Sequence, residues 1–162
     1  MALVRRFDHE YPERFVEEMF RYLSLHEKES PEASKMFSNP IMVGVTEGLG
    51  LIAGRVIPVP TQTLAGTKQK ILHIGWSALK PSRVSAGWEK TLMQNNRVGE
   101  AAYFVHSFMA VPTDPAHRIA DCLYGGHLIS ATIGREQITG CQFHPEKSGE
   151  VGLKILRRFC VD

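Results

Sequence analysis

Long apolar runs are missing from this 162-residue chain. None approaches the roughly 20 residues needed to span a bilayer, and the opening stretch MALVRRFDHEYPERF lacks the apolar centre of a secretory leader. A cytoplasmic location is therefore expected, with no membrane partner. Cysteine is scarce and odd in number. Cys122, Cys141 and Cys160 lie far apart among apolar neighbours, which argues against a disulfide framework or a zinc knuckle and for buried reduced thiols. An excess of one charge is absent too: 19 basic and 17 acidic residues leave a net charge of +2. The basic residues are scattered apart from short pairs such as Arg5-Arg6 and Arg157-Arg158, so nothing points to nucleic acid or an anionic membrane. There is no G-x-G-x-x-G and no phosphate-cradling G-x-x-x-x-G-K-[ST], and no histidine or cysteine pair has a zinc-ligand spacing. The expectation is a protein without cofactor or metal.

The residues present divide the chain in two. Hydrophobic residues make up 43% and charged residues 22%, enough apolar material for one packed body but not for two independent ones. In residues 1–42 the pattern is helical and charged. PERFVEEMFRYLS (12–24) places Phe15, Met19 and Tyr22 or Leu23 on one helical face, and SPEASKMF offers Ser30 as cap and Pro31 at the first helical position before Asn39-Pro40 ends it. From 43 to 162 the texture changes to short β-type runs between glycines and prolines: LIAGRVIPV, KILHIGW, AAYFVHSFMAV, RIADCLY, HLISATI and ITGCQFH. The closing SGEVGLKILRRFC carries Val151, Ile155, Leu156 and Phe159 at helical spacing behind Ser148, which predicts a capped helix packed on the sheet.

Chemistry concentrates in FHPEK. Pro145 fixes its own backbone and pushes His144 toward extended conformation, so His144 and Glu146 can point to the same side of the chain. A carboxylate placed there can hold one imidazole nitrogen and leave the other to take a proton from a thiol or hydroxyl. The same tripeptide also fits a plain surface pair at a strand end. No nucleophile presents itself: Cys141 precedes His144 by three residues on one expected strand and should face the other way, Ser77 lacks a Gly-x-Ser-x-Gly setting, and Cys122 and Cys160 fall within an expected strand and helix. His73 and His106 lie in apolar runs, where a histidine satisfied within the structure is the commoner case.

With GLGLIAGRV, HIGW, YFVHSF and QFHPEKSGE in that order ahead of the final helix, the chain from about Gly44 to Cys160 resembles the class I, or triad, glutamine amidotransferases, in particular the glutaminase subunit of imidazole glycerol phosphate synthase. The resemblance implies an α/β fold in an α+β-like truncated form: a partial class I amidotransferase domain with a mixed sheet, an N-terminal helical pair and a C-terminal helix. It implies that His144 and Glu146 are catalytic, that His106 and Ser107 lie near the substrate glutamine, and that Trp76 and Lys147 face a cyclase-type barrel. This chain has Phe108 where the family usually has tyrosine and Ser77 where asparagine is common. The family's nucleophile, a cysteine on a GICLGMQ-type elbow ahead of GLGLIAGRV, has no counterpart here, nor has the glycine-containing loop of the oxyanion hole. The chain is therefore expected to be catalytically incomplete by itself.

Residues from about 2 to 40, ALVRRFDHEYPERFVEEMFRYLSL through EASKMFSNP, resemble the C-terminal tail of N-acetyl sugar amidotransferases of the ATP-pyrophosphatase type, enzymes of surface-polysaccharide biosynthesis. That tail carries no nucleotide loop. The juxtaposition suggests two neighbouring reading frames joined by deletion or misassembly. A sheet without its central strands would also expose an edge suited to homo-oligomer formation.

Overall fold

The computed structural model describes residues 2–4, 50–85 and 87–161. The helices expected over 12–24 and 30–37 lie outside the described residues. Nine strands and one α-helix are described: β1 (Ala2–Val4), β2 (Gly54–Pro58), β3 (His73–Ala78), β4 (Lys80–Pro81), β5 (Ala101–His106), β6 (Phe108–Pro112), β7 (Arg118–Tyr124), β8 (His127–Arg135), β9 (Ile138–Cys141) and α1 (Gly149–Val161). Short 3₁₀ turns occupy Pro115–His117 and Pro145–Lys147.

All described pairings are antiparallel. The main sheet runs β1-β9-β8-β7-β4, and two ribbons, β2-β6 and β3-β5, accompany it. This is a mixed α/β body, mostly strand with one C-terminal helix, in keeping with a partial amidotransferase domain. The alternation read from the sequence is visible in the strands. In β5 the inward Ala102, Phe104 and His106 are buried, whereas Ala101, Tyr103 and Val105 face outward. β7 and β8 lie in the middle of the main sheet, and Ala120 and Cys122 on one join Ile129 and Ala131 on the other in the core. Phe104 and Phe143 meet edge-on, centroids 5.6 Å apart, and Ile155 of α1 belongs to the same cluster.

Helix α1 is held as well as packed. Asn96 donates from its amide to the Val151 carbonyl at 3.0 Å and to Glu100 at 3.2 Å, and Glu100 in turn binds the Lys154 ammonium at 2.6 Å. Burial pushes the Glu100 carboxyl up, but the hydrogen bond from Lys154, with those from the Arg97 N–H and Asn96, outweighs it and holds the group below its usual range. These contacts tie the loop ahead of β5 to the side of α1. They fix the end of the helix that faces the FHPEK turn.

Candidate active site

Phe143, fully buried, anchors the chain as it leaves β9, and the backbone then makes a turn rather than extending the strand. That corrects one expectation. His144 is extended (φ −96°, ψ 99°), but Pro145 opens a 3₁₀ turn over Pro145–Lys147, so the His and Glu side chains converge across a turn, not along a strand. Proline suits the first position of such a turn because its missing N–H is not required there. Glu146 Oε1 lies 2.9 Å from His144 Nδ1. Both side chains are partly exposed, and His144 Nε2 has no hydrogen-bond partner among the described residues. Such a pair can hold Nδ1 protonated and leave Nε2 as a proton acceptor.

The backbone of the turn is strapped to β5. His144 N–H donates to the Tyr103 carbonyl at 2.9 Å; the Ser148 hydroxyl accepts from Tyr103 N–H at 3.0 Å and donates to the His144 carbonyl at 2.6 Å. Ser148 was expected to cap α1. Its carbonyl does accept the Gly152 N–H at 3.3 Å, but its hydroxyl is committed to the turn, because Tyr103 N–H would otherwise be left without a partner on the side of β5 away from β3. Ser148 and Tyr103 are thus positioning residues that the sequence reading missed. The available signal was a serine four residues after the histidine. Replacing Ser148 with alanine removes both bonds at a site only 1% exposed. The expected cost is about 1–3 kcal/mol in a denaturant titration, together with loss of the His144–Glu146 contact by NMR; an unchanged imidazole environment would show the strap to be dispensable.

Gly152 secures the turn from the other side. A β-carbon built on it would overlap the carbonyl of the buried Pro145, so α1 approaches the turn as closely as it does only because this residue has no side chain. Gly149, at φ +57°, supplies the left-handed bend that leads from the turn into the helix. Gly152→Ala is expected to cost about 1–3 kcal/mol or more and to shift His144 resonances. A stable variant with unmoved resonances would refute this packing argument.

The remaining expected site residues are placed as follows. His106 is buried with both ring nitrogens engaged: Nδ1 donates to the Phe108 carbonyl at 2.8 Å, and Nε2 faces His73 Nδ1 at 2.9 Å. A carbonyl can only accept, so His106 Nε2 must be the acceptor for His73 Nδ1–H, and His73 Nε2 accepts from the Ser77 hydroxyl at 2.9 Å. His73 is sandwiched between Phe104 and Tyr124, with centroids 4.9 and 4.1 Å away. Burial, reinforced by the neighbouring His106, pushes its pKa down to about 4, and burial likewise lowers His106. Ser107, half-buried, forms the bend between β5 and β6, and its carbonyl accepts from Val59 N–H at 2.9 Å.

Trp76 is 59% exposed and meets Tyr103 edge-on at 5.8 Å. It is therefore one side chain away from the residue whose backbone holds His144. Lys147 is exposed on the 3₁₀ turn itself. None of the cysteines is near a nucleophile's setting. Cys122 and Cys141 are buried, and burial pushes both thiols up to about 12; Cys160 is exposed near the far end of α1. Among the described residues no group of three or more His, Cys, Asp or Glu side chains could hold a metal ion, and no helix is long and apolar enough to cross a membrane.

Comparison with known proteins bears on this geometry. Residues 33–162 match the family model for class I glutamine amidotransferases. The match begins ten residues before the change of texture at 43. Imidazole glycerol phosphate synthase subunit HisH 1 of Legionella pneumophila (strain Lens) is 50% identical over 124 residues, covering 76% of this chain and 58% of that protein. The subunit HisH of Geobacillus sp. (strain WCH70) is 41% identical over 116 residues, 72% of this chain and 52% of its own length. That of Lactococcus lactis subsp. lactis (strain IL1403) is 40% identical over 124 residues, 76% and 55% respectively. The chain thus spans little more than half the length of these relatives.

Proposed function

The chain belongs to the class I glutamine amidotransferase family, and from that premise we propose that it carries the base-and-orienter half of a glutaminase triad that serves an imidazole glycerol phosphate synthase. The observation that carries this reading is the 2.9 Å contact between His144 Nδ1 and Glu146 Oε1 beside an open Nε2. In the reaction, a thiol attacks the glutamine side-chain carbonyl. His144 takes the thiol proton and passes it to the departing ammonia, then activates the water that releases glutamate from the thioester, while Glu146 holds the ring in the required tautomer. With both nitrogens of His106 occupied, we assign it to shaping this end of β5 from within, and assign contact with glutamine to Ser107 at the following bend on the strength of the family resemblance.

The thiol itself lies outside this sequence in our reading. Cys122 and Cys141 are too poorly ionised to attack, and Cys160 is roughly 16 Å along the helix from the turn. His144 and Glu146 then act only on a nucleophile supplied by another segment or chain. Nitrogen-15 NMR of the imidazole tests the half-triad directly. With the ring neutral, wild type is expected to show the Nδ1-protonated tautomer, and Glu146→Ala to lose that preference; a wild-type ring protonated on Nε2 would sink the assignment.

A second reading, an interaction module without catalysis of its own, is favoured by the outer face of the β3-β5 ribbon. Ile74, Trp76 and Val105 are all exposed there, and Trp and Tyr are the residue types that dominate binding hot spots. We assign Trp76, with Lys147, to docking on a cyclase-type barrel, and a homo-oligomer formed through the ribbon to the same surface in the barrel's absence. Gel filtration with the cyclase subunit of the Legionella enzyme is expected to show a complex that Trp76→Ala weakens by at least about fivefold, or about 1 kcal/mol. A monomer indifferent to the cyclase would count against both. The sugar-amidotransferase resemblance of residues 2–40 adds an alternative consumer of the ammonia, in surface-polysaccharide synthesis.

A further inference from the structure

At the other end of α1 from the FHPEK turn is a cleft of about 250 Å³ lined by Lys90, Arg135, Glu136, Gln137, Thr139 and Arg158. Three cations face one carboxylate, in a protein whose basic residues are otherwise spread thinly. Leu92 and Ile119 add apolar surface to the lining.

The two loops that supply most of these groups are unusual in the same way. Lys90 (φ 59°) and Glu136 (φ 54°) are the positive-φ residues other than glycine among the described residues, and both line the cleft. Glu136 and Gln137 form the two-residue link between β8 and β9, where Arg135 pairs with Ile138. A positive φ at the first position of such a link is a place for glycine. The glutamate there sits against its backbone preference, as happens where a side chain has a task. Lys90 is presented by a turn with fixed ends: the Trp88 indole donates to the Ile119 carbonyl at 3.2 Å, the Thr91 hydroxyl donates to the Trp88 carbonyl at 2.7 Å, and Leu92 is buried.

We propose that this cleft binds a small phosphorylated polyol. Lys90, Arg135 and Arg158 supply the positive field for the phosphate oxygens. Glu136, whose Oε1 lies 3.6 Å from Arg135 Nε, and the Gln137 amide offer an acceptor and a donor for hydroxyl groups. The site is roughly 14 Å along the helix from the His144–Glu146 turn, and it stands independently of the glutaminase reading.

Titration of the full chain with glycerol 3-phosphate and with inorganic phosphate, followed by amide NMR, tests it. Saturable shifts confined to 90–92 and 134–139, tighter for the ester than for phosphate, are expected. A Lys90→Ala, Arg135→Ala double variant, altered only at exposed positions, should weaken the ester at least tenfold with the rest of the spectrum unchanged. Glu136→Gly should raise the melting temperature while erasing the preference for the ester. Shifts that fail to saturate, that spread over scattered basic residues or that survive the double substitution would overturn the site; equal binding of phosphate and ester would overturn the polyol assignment.

Discussion

Glutamine incubated with the purified chain is expected to release ammonia no faster than buffer, and wild type, Cys141→Ala and His144→Ala should be indistinguishable. The attacking species in thiol chemistry is the thiolate. A thiol pushed up to about 12 presents roughly one ionised molecule in 10⁵ at neutral pH, and here the two such thiols are also buried. In a catalytic triad whose members act as a unit, loss of the nucleophile alone costs on the order of 10⁶ in turnover. On the half-triad reading the well-formed His144–Glu146 pair does not make up that deficit, because a base without a proton to remove contributes nothing to the covalent route. Turnover far above background that vanishes in His144→Ala would place a competent thiol within these 162 residues and would end the half-triad reading.

The second large effect concerns acid. His73 and His106 are held in the neutral form by burial, and the hydrogen-bond chain Ser77 to His73 to His106 to the Phe108 carbonyl has one acceptor nitrogen on each ring. Protonating His106 aims a second donor at His73 Nδ1–H, protonating His73 reverses its bond to the Ser77 hydroxyl, and in either case a charge enters a buried site. His73 has a folded pKa of about 4 against an ordinary value of 6.5, so below 6.5 the unfolded chain binds the proton that the folded chain refuses. Its contribution is complete above pH 6.5 and is lost as pH falls from there to about 4. The size is about 3 kcal/mol for His73, with a further loss of the same sign from His106. Denaturant midpoints measured across that interval should fall steeply, and His73→Gln, already weaker at neutral pH, should show a flatter acid limb. A wild-type midpoint constant across the interval would refute the account.

Much of the secondary structure could be read from periodicity. RIADCLY coincides with β7, HLISATI forms most of β8, and the stripe behind Ser148 is α1. The apolar run AAYFVHSFMAV gave no sign that Ser107 divides it into β5 and β6, which pair with different partners. Pairing is a long-range property, and a run of apolar residues does not encode its register beyond a two-residue alternation. ITGCQFH read as one strand, but pairing of β9 stops at Cys141, so the argument that Cys141 and His144 oppose each other along a strand does not apply. On the half-triad reading it is burial, which raises the thiol pKa, that keeps Cys141 out of the chemistry. In the site, the His144–Glu146 pair was legible because a proline between two functional groups leaves few geometries open. The roles of Tyr103, Ser148 and Gly152 were not, because each depends on two segments meeting: β5 with the turn, and the turn with α1. From their apolar runs His73 and His106 read as satisfied histidines, while the resemblance set His106 near glutamine; the structure adds that the two rings hydrogen-bond each other and that both His106 nitrogens are engaged.

The strap between Tyr103 and the FHPEK turn has a thermodynamic consequence. By shape the turn is a loop, and surface loops open at little cost; by its hydrogen bonds it belongs to the same cooperative unit as β5. The Tyr103 and His144 amides should therefore exchange with solvent at the slow rate of the β5 core, not at the rate of the neighbouring exposed chain. The configurational entropy of placing the imidazole is spent during folding. A thiol arriving beside His144 would meet a base that is already at rest.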